Sequence, residues 1–97
     1  MASGKSSTSI QVAKVLSRDR VILNRGEVHG VKPGMRFVLY NVSEEEILDP
    51  ATGESLGQLE LIKGAGEAIH VQAKMCVVYN HASEFLGAAV GDLAKPV

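Results

Sequence analysis

Residues 20–40, RVILNRGEVHGVKPGMRFVLY, restrict the fold more than any other stretch, because two apolar runs flank a segment punctuated by glycine. Val21, Ile22 and Leu23 form a short β-branched-rich run, and Met35, Phe37 and Leu39 alternate with Arg36, Val38 and Tyr40. A repeat of two is the period of a pleated strand with one buried face. Gly26, Gly30 and Gly34 let the chain reverse where a Cβ would resist positive φ. Pro33-Gly34 is the central pair of a type II turn, proline presetting φ and glycine accepting the positive φ that follows. The segment therefore reads as a structured connection, with Val28 and Val31 tucked beneath it and pinning it to the end of a barrel.

The rest of the chain repeats this grammar. Ile10, Val12, Val15 and Leu16 make a first strand, and Ser17-Arg18-Asp19 turns it into the Val21 run as an antiparallel hairpin. A strand over residues 35–42 gives way to a charged link, Ser43-Glu44-Glu45-Glu46, leading into Ile47 and Leu48; Asp49-Pro50-Ala51-Thr52-Gly53-Glu54 is another turn, followed by a strand over residues 56–63. In that strand Leu59 and Leu61 alternate with Gln58 and Glu60, so it reads as half-buried. Gly64 and Gly66 predict a bulge or bend of the sort small barrels need to close, with Ile69 and Val71 facing inward beyond it. Met75 to Tyr79 is a further strand, and one turn of helix is expected around Ser83 and Leu86. Short strands, turn signals every eight to twelve residues and no sustained helical period predict an all-β fold: a small antiparallel barrel or sandwich of about five to seven short strands. At 97 residues it is one domain, residues 9–97, behind a flexible leader of residues 1–8.

Composition narrows the chemistry. One cysteine, Cys76, excludes an internal disulfide and a four-cysteine zinc site. A net charge of −1 recommends neither nucleic acid nor anionic membrane. No apolar run approaches the roughly 18–20 residues that cross a bilayer. The N-terminus lacks the apolar segment of a signal peptide, which reads as cytoplasmic for the chain as written and as periplasmic or envelope-associated for a piece of an exported protein. Gly4-Lys5-Ser6 lacks the rest of a phosphate loop. His29, His70, His81 and Cys76 share no metal-ligand spacing and read as surface histidines and a small core hydrophobe. The acids from Glu44 to Glu67 match no calcium loop and read as a solvated hairpin whose charges discourage edge-to-edge aggregation. Asn41-Val42-Ser43 matches a glycosylation acceptor only formally. No nucleophile-base pair stands out, so no catalytic set and no cofactor is expected.

Charge is distributed unevenly. Lys14, Arg18, Arg20, Arg25, Lys32 and Arg36 face only Asp19 and Glu27, whereas seven acids between Glu44 and Glu67 face only Lys63. Two arrangements fit: the charges segregate to opposite ends, favouring head-to-tail self-association or a charged protein partner, or the strands interleave them.

The strings Val21-Ile22-Leu23-Asn24-Arg25-Gly26, His29-Gly30-Val31-Lys32-Pro33-Gly34-Met35-Arg36-Phe37, Ile47-Leu48-Asp49-Pro50, Thr52-Gly53-Glu54-Ser55-Leu56-Gly57 and Val90-Gly91-Asp92 resemble the C-terminal domain of the flagellar assembly protein T family. That resemblance runs from about Ile10 to Leu93 and implies an SH3-like barrel acting as a structural or docking module in bacterial flagellar or envelope assembly. The expected role is a non-enzymatic protein-interaction domain using an exposed strand edge or the loop that presents Arg25, His29 and Lys32. The alternative is a nucleic-acid-binding barrel, whose stacking platform would come from Phe37, Tyr40, Tyr79 and Phe85.

Overall fold

The computed structural model describes residues 9–97; the expected leader and Gly4-Lys5-Ser6 lie outside the described residues. Six strands follow in order: β1 (Ile10–Ser17), β2 (Arg20–Leu23), β3 (Arg36–Leu48), β4 (Ser55–Val71), β5 (Cys76–Tyr79) and β6 (Leu93–Pro96). All neighbours are antiparallel, and the order β1-β2-β5-β4-β3-β6 closes on itself through pairing of β6 with β1. The expected all-β antiparallel barrel is therefore the observed one.

The core comes from the alternation read in the sequence. Val21 and Leu23 on β2, Phe37 and Leu39 on β3, and Cys76 and Val78 on β5 all point into the barrel and are buried, as is Val12. Phe85 closes one flank and Val31 the other. Pro33-Gly34 forms the expected turn, with Gly34 at φ 93° and the Met35 N–H donating to the Lys32 carbonyl. The Gly64–Gly66 bend is also present: Gly64 sits at φ 131° beside a register shift, and Gly66 is packed so closely under Val78 that a Cβ there would lie 2.6 Å from its Cγ1.

Five expectations differ from what is observed. Residues 43–46 are not a link between strands, because β3 runs through them unbroken from Arg36 to Leu48, paired with β4 on either side of a bulge. Leu59 and Leu61 are not half-buried but 54% and 47% exposed, because β3 and β4 run on past the barrel as a two-stranded ribbon over residues 41–62. Ile69 faces outward, because it is the extra residue in a bulge between Ala68 and His70, and Ala68 takes the core position instead. Val28 is exposed and only Val31 tucks under the loop. No helical turn forms around Ser83: Asn80 Oδ1 accepts from the Ala82 and Ser83 N–H groups, while the Phe85 and Leu86 N–H groups donate to Arg18 and Lys63 carbonyls. Amides committed to neighbouring strands cannot bond back along a helix.

Cys76 gives a direct check on this core. Burial pushes its thiol up to about 11, opposed only by a hydrogen bond with the Leu23 backbone, and the thiolate is the reactive form. An aromatic disulfide reagent at mildly alkaline pH is expected to titrate one thiol in denaturant and almost none in the native protein over the same minutes. Rapid native labelling would place Cys76 outside the barrel.

Candidate functional site

Two places concentrate exposed chemistry: the loop after β2 and the ribbon. The loop is rigid because each turn of it is tied down. Asn24 prolongs the β1–β2 ladder, its side-chain Oδ1 accepting from the Gln11 N–H at 2.9 Å while its own N–H donates to the Gln11 carbonyl. The Glu27 and Val28 N–H groups donate to the Gln72 and Ala73 carbonyls in the β4–β5 turn. Glu27–His29 is a single 3-10 turn, ended by Gly30 in the left-handed region.

Of the three residues expected to contact a partner, this loop brings two together. Arg25 and His29 rim a cleft of about 170 Å³ floored by Val31, Met35 and Phe37. His29 Nδ1 accepts the Gly26 N–H at 3.0 Å, which fixes the ring and leaves Nε2 as its outward group. Arg25 Nη1 donates to the Asn24 carbonyl. Lys32 is exposed but does not line the cleft. That volume is well below the roughly 300–1,000 Å³ of small-molecule sites and suits one inserted side chain.

The ribbon is the larger feature. Ile47, Leu48, Leu56, Leu59, Leu61 and Ile62 are each between 41% and 62% exposed. Opposed residues of an antiparallel pair share a face, so the registers Asn41–Leu61 and Ile47–Gly57 put Ile47, Leu59 and Leu61 together, with Leu48, Ile62 and Tyr40 on the other side. Glu44, Glu45, Glu46, Asp49, Glu54 and Glu60 also lie on the ribbon, while Lys14, Arg18, Arg20, Arg25 and Lys32 belong to β1, the β1–β2 turn, β2 and the loop. Most of these charges segregate, but Arg36 and Glu67 oppose each other in the β3–β4 register and Lys95 reaches Glu60 at the ribbon.

At the ribbon's root a polar cluster fastens it to the barrel. Asp92, 2% exposed, accepts from Lys63 Nζ at 2.9 Å, Asn41 Nδ2 at 2.9 Å and the Ala89 N–H at 2.8 Å. Lys63 Nζ also donates to the Gly87 carbonyl. Burial disfavours the charged carboxylate, but the bonds from Lys63, Ala89 and Asn41 and the lysine's charge outweigh it and lower the pKa of Asp92. One buried acid therefore holds both ribbon strands and the turn before β6. Sequence pattern does not bring Asn41, Lys63 and Asp92 together; its one signal is Lys63, the lone base among the acids.

The remaining candidates are dispersed. Among the described residues no three His, Cys, Asp or Glu side chains converge as metal ligands. His81 Nε2 lies 2.8 Å from Glu67 and packs edge-on against Tyr79, over which Arg20 stacks. His70 pairs with Gln72. Of the aromatics, Phe37 and Phe85 are buried, and Tyr40 lies beneath Lys95. No helix among the described residues is long and apolar enough to cross a membrane. No protein-family model and no curated protein matches the chain.

Proposed function

We propose that this chain is a non-enzymatic structural and protein-interaction module, an SH3-like barrel of the type used in bacterial flagellar or envelope assembly. The observation that carries the reading is the ribbon. A two-stranded hairpin is marginal in water by itself, and three or more strands or a packed neighbour are needed to hold one with apolar faces. Here six large aliphatic side chains stand in solvent on such a hairpin, anchored at its base by a buried carboxylate. Patches of this kind mark contact surfaces. The cleft bearing Arg25 and His29, with Lys32 nearby, is a second, smaller contact that takes one side chain of the same partner or another.

The nucleic-acid alternative has less to draw on. A single-strand platform needs exposed aromatic faces along a basic groove, and Phe37 and Phe85 are spent in the core.

The test is co-purification from the native host of the wild type and of a Leu56→Ser, Leu61→Ser variant. Both residues are exposed, so the variant is expected to keep its circular dichroism and thermal midpoint within a few degrees while losing its defined associates. An unchanged set of associates sinks the reading. Substituting Arg25 and Lys32 together tests the loop in the same assay.

A further inference from the structure

We propose that the ribbon's occupant is a second copy of this chain, joined by antiparallel pairing of the two β4 edges over residues 57–61 into a four-stranded sheet. The proposal rests on the interaction reading above and names its partner. Among the described residues the ribbon has two strand edges without a neighbouring strand, and they differ in charge. The β3 edge carries Glu44, Glu45 and Glu46 and a register shift between Val42 and Glu46, both devices that repel an incoming strand. The β4 edge has one irregularity of its own, at Leu56 beside Gly57 at φ 96°, and from Gln58 to Ile62 it runs regular and carries a single acid, Glu60, already matched by Lys95 Nζ at 3.0 Å. Its barrel end is capped by the Leu86 N–H on the Lys63 carbonyl. What stays open is a short, nearly neutral edge.

Backbone direction and side-chain order then select the register. The Leu59 N–H is turned toward β3, where it donates to Ser43 Oγ at 3.1 Å. Alternation along a strand turns the N–H and C=O groups of Gln58 and Glu60 outward. A two-fold axis at Leu59 lets Gln58 of one copy exchange backbone hydrogen bonds with Glu60 of the other. It also sets Leu59 against itself and Leu61 over the space left by Gly57. Every opposition is then apolar with apolar or acid with amide. Moving the axis one residue, to Glu60, would set two carboxylates face to face. The strand is self-complementary about Leu59, and that favours a copy of itself over an unrelated strand. The resulting sheet gathers Ile47, Leu59 and Leu61 from both copies on one face and reaches the size at which a sheet with an apolar face is stable. The contact is isologous and closes at two chains.

Sedimentation equilibrium from micromolar to near-millimolar protein tests this together with three variants. The wild type is expected to be a concentration-dependent dimer. Gln58→Glu sets two like charges opposite Glu60 and weakens the dimer about fivefold, whereas Gln58→Lys tightens it by a similar factor. Leu59→Cys is expected to form a disulfide-linked dimer under mild oxidation, since directly opposed residues at this type of position have Cα atoms about 4.5 Å apart; Ile47→Cys is expected not to. A monomer at every concentration overturns the proposal, as does a dimer insensitive to the charge at position 58 or one that Leu59→Cys fails to link. If the chain is monomeric while the ribbon substitutions still strip other proteins from it in the host, the interaction reading stands and the second-copy assignment alone falls.

Discussion

Gly26→Ala is expected to destabilise the domain by about 3 kcal/mol or more, the upper range for forcing extra atoms into a packed interior, and to lower its thermal midpoint on the order of 15 °C. The backbone at Gly26 is extended, φ −146°, a conformation open to any residue, so the cost is wholly steric. An added Cβ would lie 2.2 Å from the Gln72 carbonyl oxygen and 2.5 Å from the Met75 nitrogen. Both are backbone atoms of the β4–β5 turn, and moving them breaks the bonds that Glu27 and Val28 make to that turn. Gly30→Ala is the matched control: the same methyl, four residues on, meets nothing within 4 Å but must accept φ 88°. It is expected to cost only about 1–2 kcal/mol through strain. Thermal unfolding of the two variants side by side decides the matter, and equal losses would show that close packing of the loop against the turn is not what requires Gly26.

The second large effect is at the root of the ribbon. Asp92→Ala leaves Lys63 without its carboxylate in a mostly buried setting, a change that costs about 3 kcal/mol where an ion pair is broken from one side. Lys63→Met strands the acid instead. The double change Lys63→Met, Asp92→Leu is expected to cost less than the two singles together, because no charge is left unpaired. Because the native environment lowers the pKa of Asp92, its contribution is fully present above the ordinary carboxylate value near ~3.9 and is lost as pH falls through the lowered value. Wild-type stability is therefore expected to decline in that acid window, and Asp92→Asn to show a flatter profile there. Amide exchange should locate the loss first at residues 41–42 and 61–63. Uniform loosening of the whole barrel would refute the role given to the cluster.

Much of the barrel is legible in the sequence because its signals are local. Ser17-Arg18-Asp19 between two apolar runs makes a hairpin almost unavoidable, and Pro33-Gly34 fixes a turn by backbone sterics alone. The ribbon is misread for a physical reason: alternation of Leu59 and Leu61 with Gln58 and Glu60 says that one face is apolar, not that anything covers it. Asn41, Lys63 and Asp92 escape because they are distant in the chain, and isolated polar residues in a strand pattern look like solvent positions until the fold brings them together. The helical turn around Ser83 fails likewise, since its amides find partners in the β1–β2 turn and on β4. Arg25 and His29 are placed by local turn chemistry, and that is why they are the site residues the sequence brings nearest to their observed setting.

Closure of the ring has a consequence for time as well as shape. β6 is four residues long, yet it is flanked by β1 on one side, Ile10 against Ala94, and by β3 on the other, Phe37 against Pro96. The β1 pairing joins the two most distant parts of the described chain, and contacts of such separation slow folding to milliseconds or seconds. Until β6 docks, the inner stretches of β1 and β3 are bare edges. Refolding is then a race between one short strand finding its slot and the edges of two unfinished barrels finding each other, and dilution favours the first.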